Sequence, residues 1–145
     1  WASRWTAAAK GGAEGATRLA FDRPGTWSLK YNLGWDKLLG LDLFPEEVAA
    51  TELAYYKGRQ NRYGLPLDCR EDYTKSDWIV WTATMAPDRE TFEYFIEPIY
   101  LYMDRTEDRV PLSDWTFTSE AVHRGFQARS VVGGYFMKML SERWK

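Results

Sequence analysis

The chain has 145 residues, of which 45% are hydrophobic and 28% charged, so it has the size and composition of one ordinary domain. The net charge of −2 comes from interspersed acids and bases, which argues against nucleic acid or an anionic membrane as a partner. No segment is apolar over the roughly twenty residues that a membrane span needs. One cysteine and one histidine do not make an ordinary zinc site, and no calcium loop motif occurs, so we expect no metal and no other cofactor.

The chain opens on "WASRWTAAAK", which is typical of the end of a helix. Trp1 and Trp5 are one helical turn apart in an alanine-rich segment, and no initiator methionine precedes them. We therefore expect a piece of a longer protein. After an irregular stretch, "WDKLLG" predicts a short helix over Trp35 to Gly40.

A longer helix is predicted from Pro45 to about Tyr63, with acidic residues after the proline and Gly64 as its end. The next helix is predicted to start at Thr74 as N-cap, with Asp77 three residues later completing a capping box. Apolar residues occur nearly all round the helix that starts at Thr74, which predicts that this helix is buried on most sides.

Two more helices complete the expected set. One begins after Asp88 and contains Pro98, which predicts a kink. The last carries an apolar stripe from Ala128 to Leu140, in which Gly133 and Gly134 allow a close approach of another helix. The fold class is thus predicted to be all-α, a single segment of antiparallel helical hairpins over residues 1–145.

Long and short connections alternate along the chain. The long ones cover residues 10–32, 64–73 and 107–125. Because antiparallel helices place alternate connections at opposite ends, the three long loops are expected at one end, where a functional site is favoured. The second and third loop regions echo each other: one contains "LPLD" (Leu65 to Asp68) followed by "SDW" (Ser76 to Trp78), and the other contains "VPLSDW" (Val110 to Trp115).

Longer blocks of the sequence carry a family resemblance. "TRLAFDRPGTWSLKYNLGWDKLLGLDLFP", "YYKGRQNRYGLPLDCREDYTKSDWIVWTA", "DRVPLSDW" and "GFQARSVVGGYFMKML" together resemble the C-terminal part of the glutaminase A family, large extracellular proteins of fungi and of bacteria such as Bacteroides. The resemblance implies part of an α/α toroid of the six-hairpin glycosidase type and a secreted or periplasmic location. It also implies hydrolysis of L-glutamine to glutamate and ammonia, but it assigns no catalytic residue.

Three aspartates on the long loops are the candidate catalytic residues. Hydrolysis of an amide or a glycoside needs a proton donor and a proton acceptor, and two carboxylates with different pKa values can share these tasks. Asp68 and Asp114 rank first and Asp77 third, since the predicted cap already explains Asp77. Each has a structural alternative: Asp114 as the cap of a turn, and Asp68 as the ion-pair partner of Arg70.

The candidate substrate-binding residues are Arg129, Gln127, Trp35, Asn32 and Arg70. An arginine offers a fixed fork of donors to a carboxylate or a hydroxyl group, although a salt bridge to a neighbouring aspartate explains Arg129 equally well. For Trp35 a place in the core is favoured over a stacking platform.

Other hydrolytic mechanisms have little support. A serine triad would have to use His123 without a nucleophile elbow, and Ser28 and Lys30 lack the S-x-x-K spacing of serine–lysine enzymes. Three functions stay open: a glutaminase portion, a glycoside hydrolase-like protein, and a non-catalytic arc of the toroid. The expected partners are glutamine or a glycan, the rest of the parent chain, and, through exposed apolar surface, a second copy of the segment.

Overall fold

The computed structural model describes residues 1–143 and contains six α-helices and one small sheet. The helices are α1 (Ala2–Ala9), α2 (Leu33–Leu39), α3 (Glu46–Lys57), α4 (Ser76–Ala83), α5 (Arg89–Arg105) and α6 (Met137–Arg143). The strands are β1 (Tyr73–Lys75) and β2 (Trp115–Phe117), and 3-10 segments cover Ala13–Gly15 and Ser130–Phe136. None of the helices within residues 1–143 has the length and apolar character that a bilayer crossing requires.

Local signals in the sequence place several helix ends correctly. The Asp88 side chain accepts a hydrogen bond from the Thr91 backbone N–H at 2.7 Å and caps α5. Gly40 ends α2 in the left-handed conformation, which glycine adopts without strain. The helix predicted from Pro45 is present, but it begins at Glu46, with Pro45 as the residue before it, and it ends at Lys57 and not near Gly64.

The predicted capping box at the start of α4 is wrong. Thr74 lies in β1, Lys75 is the residue that precedes the helix, and no side chain caps the first turn. Asp77 is the second residue of the helix, so it does not occupy the position of a capping-box carboxylate. The pairing of β1 with another strand overrides the local capping pattern.

The predicted continuous last helix is also wrong. Ala128 has a positive φ of 56°, Arg129 is extended, and a 3-10 segment precedes the short helix α6. Two consecutive glycines, Gly133 and Gly134, have the low helix propensity that disfavours a regular α-helix here. The predicted close approach is confirmed at Gly134, where a Cβ atom would lie 2.8 Å from the Trp81 indole nitrogen.

The sheet departs from the all-α prediction. β1 pairs with β2 in the antiparallel sense, with Thr74 opposite Thr116 at the centre of the register. Both strands are rich in Thr and aromatic residues, which have high β-propensity. The helical class is therefore confirmed for most of the fold, with a short sheet between two of the long loops.

Helix α4 lies at the centre of the fold, as its apolar sequence predicts. It packs against α5, α6, α2 and the 3-10 segment at 130–136. Its residues Ile79, Val80 and Ala83 are buried in a core that also includes Tyr56 and Phe95. Because α4 is held on several sides, its N-terminus is a rigid position for a functional group.

Candidate functional site

The three long loops contact one another, as the alternation of connection lengths predicts. The Leu29 backbone N–H donates to the Leu67 carbonyl oxygen at 2.8 Å, which joins the first loop to the second. The second and third loops are joined by the β1–β2 pairing and by the Tyr63 backbone N–H, which donates to the Thr118 carbonyl oxygen at 2.8 Å. The N-terminus of α4 lies directly after this junction.

Two of the candidate aspartates come together at the N-terminus of α4. Asp77 is 3% exposed and Asp114 is 1% exposed. Ser76, at the start of the helix, donates hydrogen bonds from its backbone N–H and its hydroxyl group to the Asp114 carbonyl oxygen, at 2.9 and 3.1 Å. The "SDW" echo of the sequence thus brings its two aspartates to one place.

Two cations surround the Asp114 carboxylate. The Lys75 Nζ atom lies 3.1 Å and the Arg129 Nη1 atom 3.4 Å from the same oxygen, Oδ2. The salt bridge that was the structural alternative for Arg129 is therefore present. The other oxygen, Oδ1, is buried and accepts no hydrogen bond within residues 1–143.

The pKa of the Asp77 carboxyl group is unusually high. Burial and the neighbouring charge of Asp114 raise the pKa of Asp77 to about 6, against the smaller opposing effects of backbone N–H groups and of Lys75. Its Oδ1 atom is also buried with no hydrogen-bond partner in the described part of the chain. The site therefore pairs a carboxyl group that is partly protonated near neutral pH with a carboxylate held between two cations.

The 3-10 segment at 130–136 covers this pair. The Tyr135 hydroxyl lies 2.7 Å from the Ser76 Oγ atom, and burial raises the pKa of Tyr135 to about 12. A Cβ atom at Gly134 would lie 3.0 Å from the Asp77 Cβ atom, so only glycine fits there without a shift. Sequence reasoning did not single out Lys75, Ser76 or Tyr135.

Asp68 and Arg70 lie outside the cluster of Asp77 and Asp114 and form a salt bridge with each other. Arg70 donates to the two Asp68 carboxylate oxygens from Nε at 2.9 Å and from Nη2 at 2.7 Å. Burial opposes the ionisation of Asp68, but the hydrogen bonds and charge of Arg70 outweigh it, so the pKa of Asp68 lies below its ordinary value. This bidentate pair is the structural alternative considered for Asp68.

The remaining candidates are also placed. The Gln127 amide nitrogen donates to the carbonyl oxygens of Asp108 and Pro111, at 3.3 and 3.0 Å, and ties one loop together. Trp35 packs edge-to-face on Trp81 with ring centroids 5.1 Å apart, as a core residue would. Asn32 precedes α2 and lines a cavity that neither Asp77 nor Asp114 lines.

The helices, the packing of α4 against α5 and the loops that converge on two buried carboxylates define a mostly α-helical domain. The chain belongs to the family described as "Glutaminase A six helical-hairpin domain", whose model matches residues 1–139.

Two curated relatives are similar to the chain. It is 32% identical over 127 residues to "Glutaminase A" of Aspergillus oryzae, a match that covers 86% of this chain and 18% of the relative. It is 28% identical over 156 aligned positions to a "Probable glutaminase" of Arthroderma benhamiae, which covers 87% of this chain and 18% of that relative. The chain thus spans about a fifth of the length of the curated relatives it matches. No solved structure matches it significantly.

Proposed function

We propose that the chain is the C-terminal portion of a glutaminase-type amidohydrolase and contributes the acid–base pair Asp77 and Asp114. The observation that carries the proposal is the raised pKa of Asp77, about 6, beside a second buried carboxylate. Two carboxyl groups whose environments differ in this way are suited to opposite proton-transfer tasks. The two relatives bear glutaminase names, which favours an amide as the bond that is cleaved.

In this mechanism the two carboxyl groups have separate roles. The Asp114 carboxylate accepts a proton from water as the water oxygen attacks the amide carbon of L-glutamine. The protonated Asp77 carboxyl donates a proton to the amide nitrogen as the carbon–nitrogen bond breaks and ammonia leaves. Lys75 and Arg129 balance the negative charge of Asp114 in the ground state.

Arg129 is the part of this cluster that reaches solvent, with 39% of its side chain exposed. Only one of its guanidinium nitrogens contacts Asp114, so the remaining donors can hold the α-carboxylate of the substrate. The proposal therefore places the approach of the substrate at Arg129. The 3-10 segment at 130–136 would have to move to admit the amide to the buried pair.

The experiment measures ammonia release from L-glutamine by the intact protein and by four variants. Asp77→Asn and Asp114→Asn should each lower kcat by about a hundredfold or more, the usual contribution of general acid–base catalysis. Asp22→Asn is the matched control, because Asp22 is exposed and lies outside the cluster. Asp68→Asn tests the rival placement of catalysis at the Arg70 pair.

Normal turnover in folded Asp77→Asn and Asp114→Asn proteins would contradict the proposal. Loss of turnover only in Asp68→Asn would move the chemistry to the second loop. If all four variants keep full activity, this segment is a non-catalytic part of the enzyme.

A glycan is the second candidate substrate. Tyr31 stacks on Trp78, next to Asp77 in the chain, with ring centroids 4.0 Å apart. Both residues are partly exposed, so the ring surface that is left uncovered could pack against a sugar. Release of sugar from a glycan panel by an intact protein that leaves glutamine unchanged would favour this substrate. The toroid, the secreted or periplasmic location and the packing of this segment against the rest of its parent chain are further parts of the proposal, and they rest on the family resemblance.

A further inference from the structure

A cavity of about 510 Å³ lies between α1, the first long loop and the segment before α3, and neither Asp77 nor Asp114 lines it. Its size is that of a site for a small organic ligand. The lining residues that matter below are Trp5, Arg18, Ser28, Lys30, Tyr31 and Phe44.

Arg18 brings an unbalanced positive charge to this cavity. Its Nη1 atom donates to the Phe21 carbonyl oxygen at 2.6 Å, whereas its Nε atom is buried and has no acceptor within residues 1–143. No carboxylate of the described chain lies within salt-bridge distance of Arg18. A partly buried guanidinium without a counter-ion favours the binding of an anion.

The Lys30 ammonium group already donates its protons inside the protein, to the Thr17 carbonyl oxygen at 3.5 Å and to two atoms of Ser28. Burial lowers the pKa of Lys30, and the nearby charge of Glu52 opposes that effect most strongly. Glu52 is fully buried, and its two oxygens accept hydrogen bonds from the Thr17 backbone N–H at 2.6 Å and from the Tyr56 hydroxyl at 2.5 Å. The cationic donor that remains for a ligand is therefore Arg18.

Ser28 offers a hydroxyl proton to the same cavity. The Lys30 ammonium group donates to the Ser28 Oγ atom at 2.7 Å and to the Ser28 carbonyl oxygen at 3.0 Å. Because Oγ is the acceptor in the first of these bonds, the hydroxyl proton of Ser28 is left to be donated elsewhere. It has no protein acceptor within residues 1–143 and can meet a ligand oxygen.

The other side of the cavity is apolar. Trp5 and Phe44 meet edge-to-face with ring centroids 5.1 Å apart, and the Tyr31 ring continues this wall. Neither Trp5 nor Phe44 is fully buried, so each leaves ring surface for a ligand to cover.

We propose that this cavity binds a small carboxylate that carries an apolar or aromatic body. The carboxylate accepts hydrogen bonds from the Arg18 guanidinium and the Ser28 hydroxyl, and the body lies against Trp5 and Phe44. The site uses neither carboxyl group of the acid–base pair and involves no covalent step.

Calorimetric titration of the intact protein with phenylpropionate tests the proposal, with phenylpropanol as the neutral ligand of similar shape. The acid should bind at least about tenfold more tightly than the alcohol, since one charge-assisted hydrogen bond contributes that much. Arg18→Gln should weaken binding of the acid by roughly 10- to 100-fold. Arg23→Gln, an exposed arginine of the same loop that does not line the cavity, should leave binding unchanged.

A second variant guards against a folding defect. Ser28→Ala removes the hydroxyl group without changing the charge of the site, and it should weaken binding of the acid several-fold while binding of the alcohol is unchanged. Equal affinity for acid and alcohol, equal affinity of the Arg18→Gln and Arg23→Gln proteins, or no binding of the acid at all would each overturn the proposal.

Discussion

Burial of the Asp77 carboxyl makes the free energy of unfolding depend on pH. The pKa of Asp77 is about 6 in the folded chain, against an ordinary value of 3.8. The folded state therefore binds this proton more tightly than the unfolded state does. The stabilisation from protonated Asp77 is complete below pH 3.8 and is lost as the pH rises through 6.

The size of this effect follows from the two pKa values. A pKa difference of one corresponds to about 1.4 kcal/mol, so the full effect of raising the Asp77 pKa is about 3 kcal/mol. Allowing for screening by solvent at the edge of the site, we expect a loss of about 2 kcal/mol between acidic and mildly alkaline pH. The Asp77→Asn variant lacks this titration and should not suffer the loss.

Urea unfolding followed by tryptophan fluorescence measures the difference. The wild-type chain and Asp77→Asn are compared at about pH 4 and about pH 8, so that the titration of groups that do not interact with Asp77 cancels in the comparison. The variant should gain about 2 kcal/mol relative to wild type between the two conditions. Asp22→Asn, at an exposed site, should show no such gain. If the difference between Asp77→Asn and wild type is the same at both pH values, the raised pKa is refuted.

Two further predictions concern packing and capping. Gly134→Ala places a Cβ atom 2.8 Å from the Trp81 indole nitrogen and should lower the free energy of unfolding by about 1–3 kcal/mol. Gly133→Ala is the control, because a Cβ atom there meets open space and should have little effect. Equal urea midpoints for the two variants would contradict this packing. Asp88→Ala removes the hydrogen bond to the Thr91 N–H and should lower the free energy of unfolding by about 1 kcal/mol, and an unchanged midpoint would count against the cap.

Several helix boundaries could be predicted because their causes are local. Asp88 and Gly40 act on backbone groups within a few residues of themselves, so the sequence around them contains the whole explanation. The buried character of α4 is likewise visible in its nearly uniform apolar composition. The meeting of the long loops follows from the alternation of long and short connections between antiparallel helices.

The sheet and the capping of α4 could not be predicted in this way. β1 and β2 pair across about forty residues, and a pattern of Thr and aromatic residues does not name its partner strand. Once Thr74 is fixed in β1, it is unavailable as a helix cap. Thr74 has a local preference for the helix-cap position, but the long-range pairing of β1 with β2 overrides it.

The ranking of the candidate aspartates is limited in the same way, because local sequence patterns do not show long-range contacts. The sequence ranks Asp68 before Asp77 because the predicted cap already explains Asp77, yet it is Asp68 that has a bidentate structural partner, Arg70. The environment of Asp77 depends on Asp114 and on Gly134, both distant in sequence. The "SDW" echo was the one sequence signal that linked Asp77 with Asp114.

The unsatisfied state of Asp77 favours a functional role over a structural one. A carboxylate near a helix N-terminus is stabilised by the helix dipole and by backbone N–H groups, and those effects lower its pKa. The pKa of Asp77 is raised all the same, because burial and Asp114 outweigh them, and one of its oxygens has no hydrogen-bond partner within residues 1–143. An asparagine would fill the same volume without the charge, so a purely structural position gains nothing from the carboxyl group. Groups held at a cost in stability are concentrated at sites of binding and catalysis. The pH dependence of the unfolding free energy of Asp77→Asn and the turnover of the same variant therefore both test whether Asp77 is a functional residue.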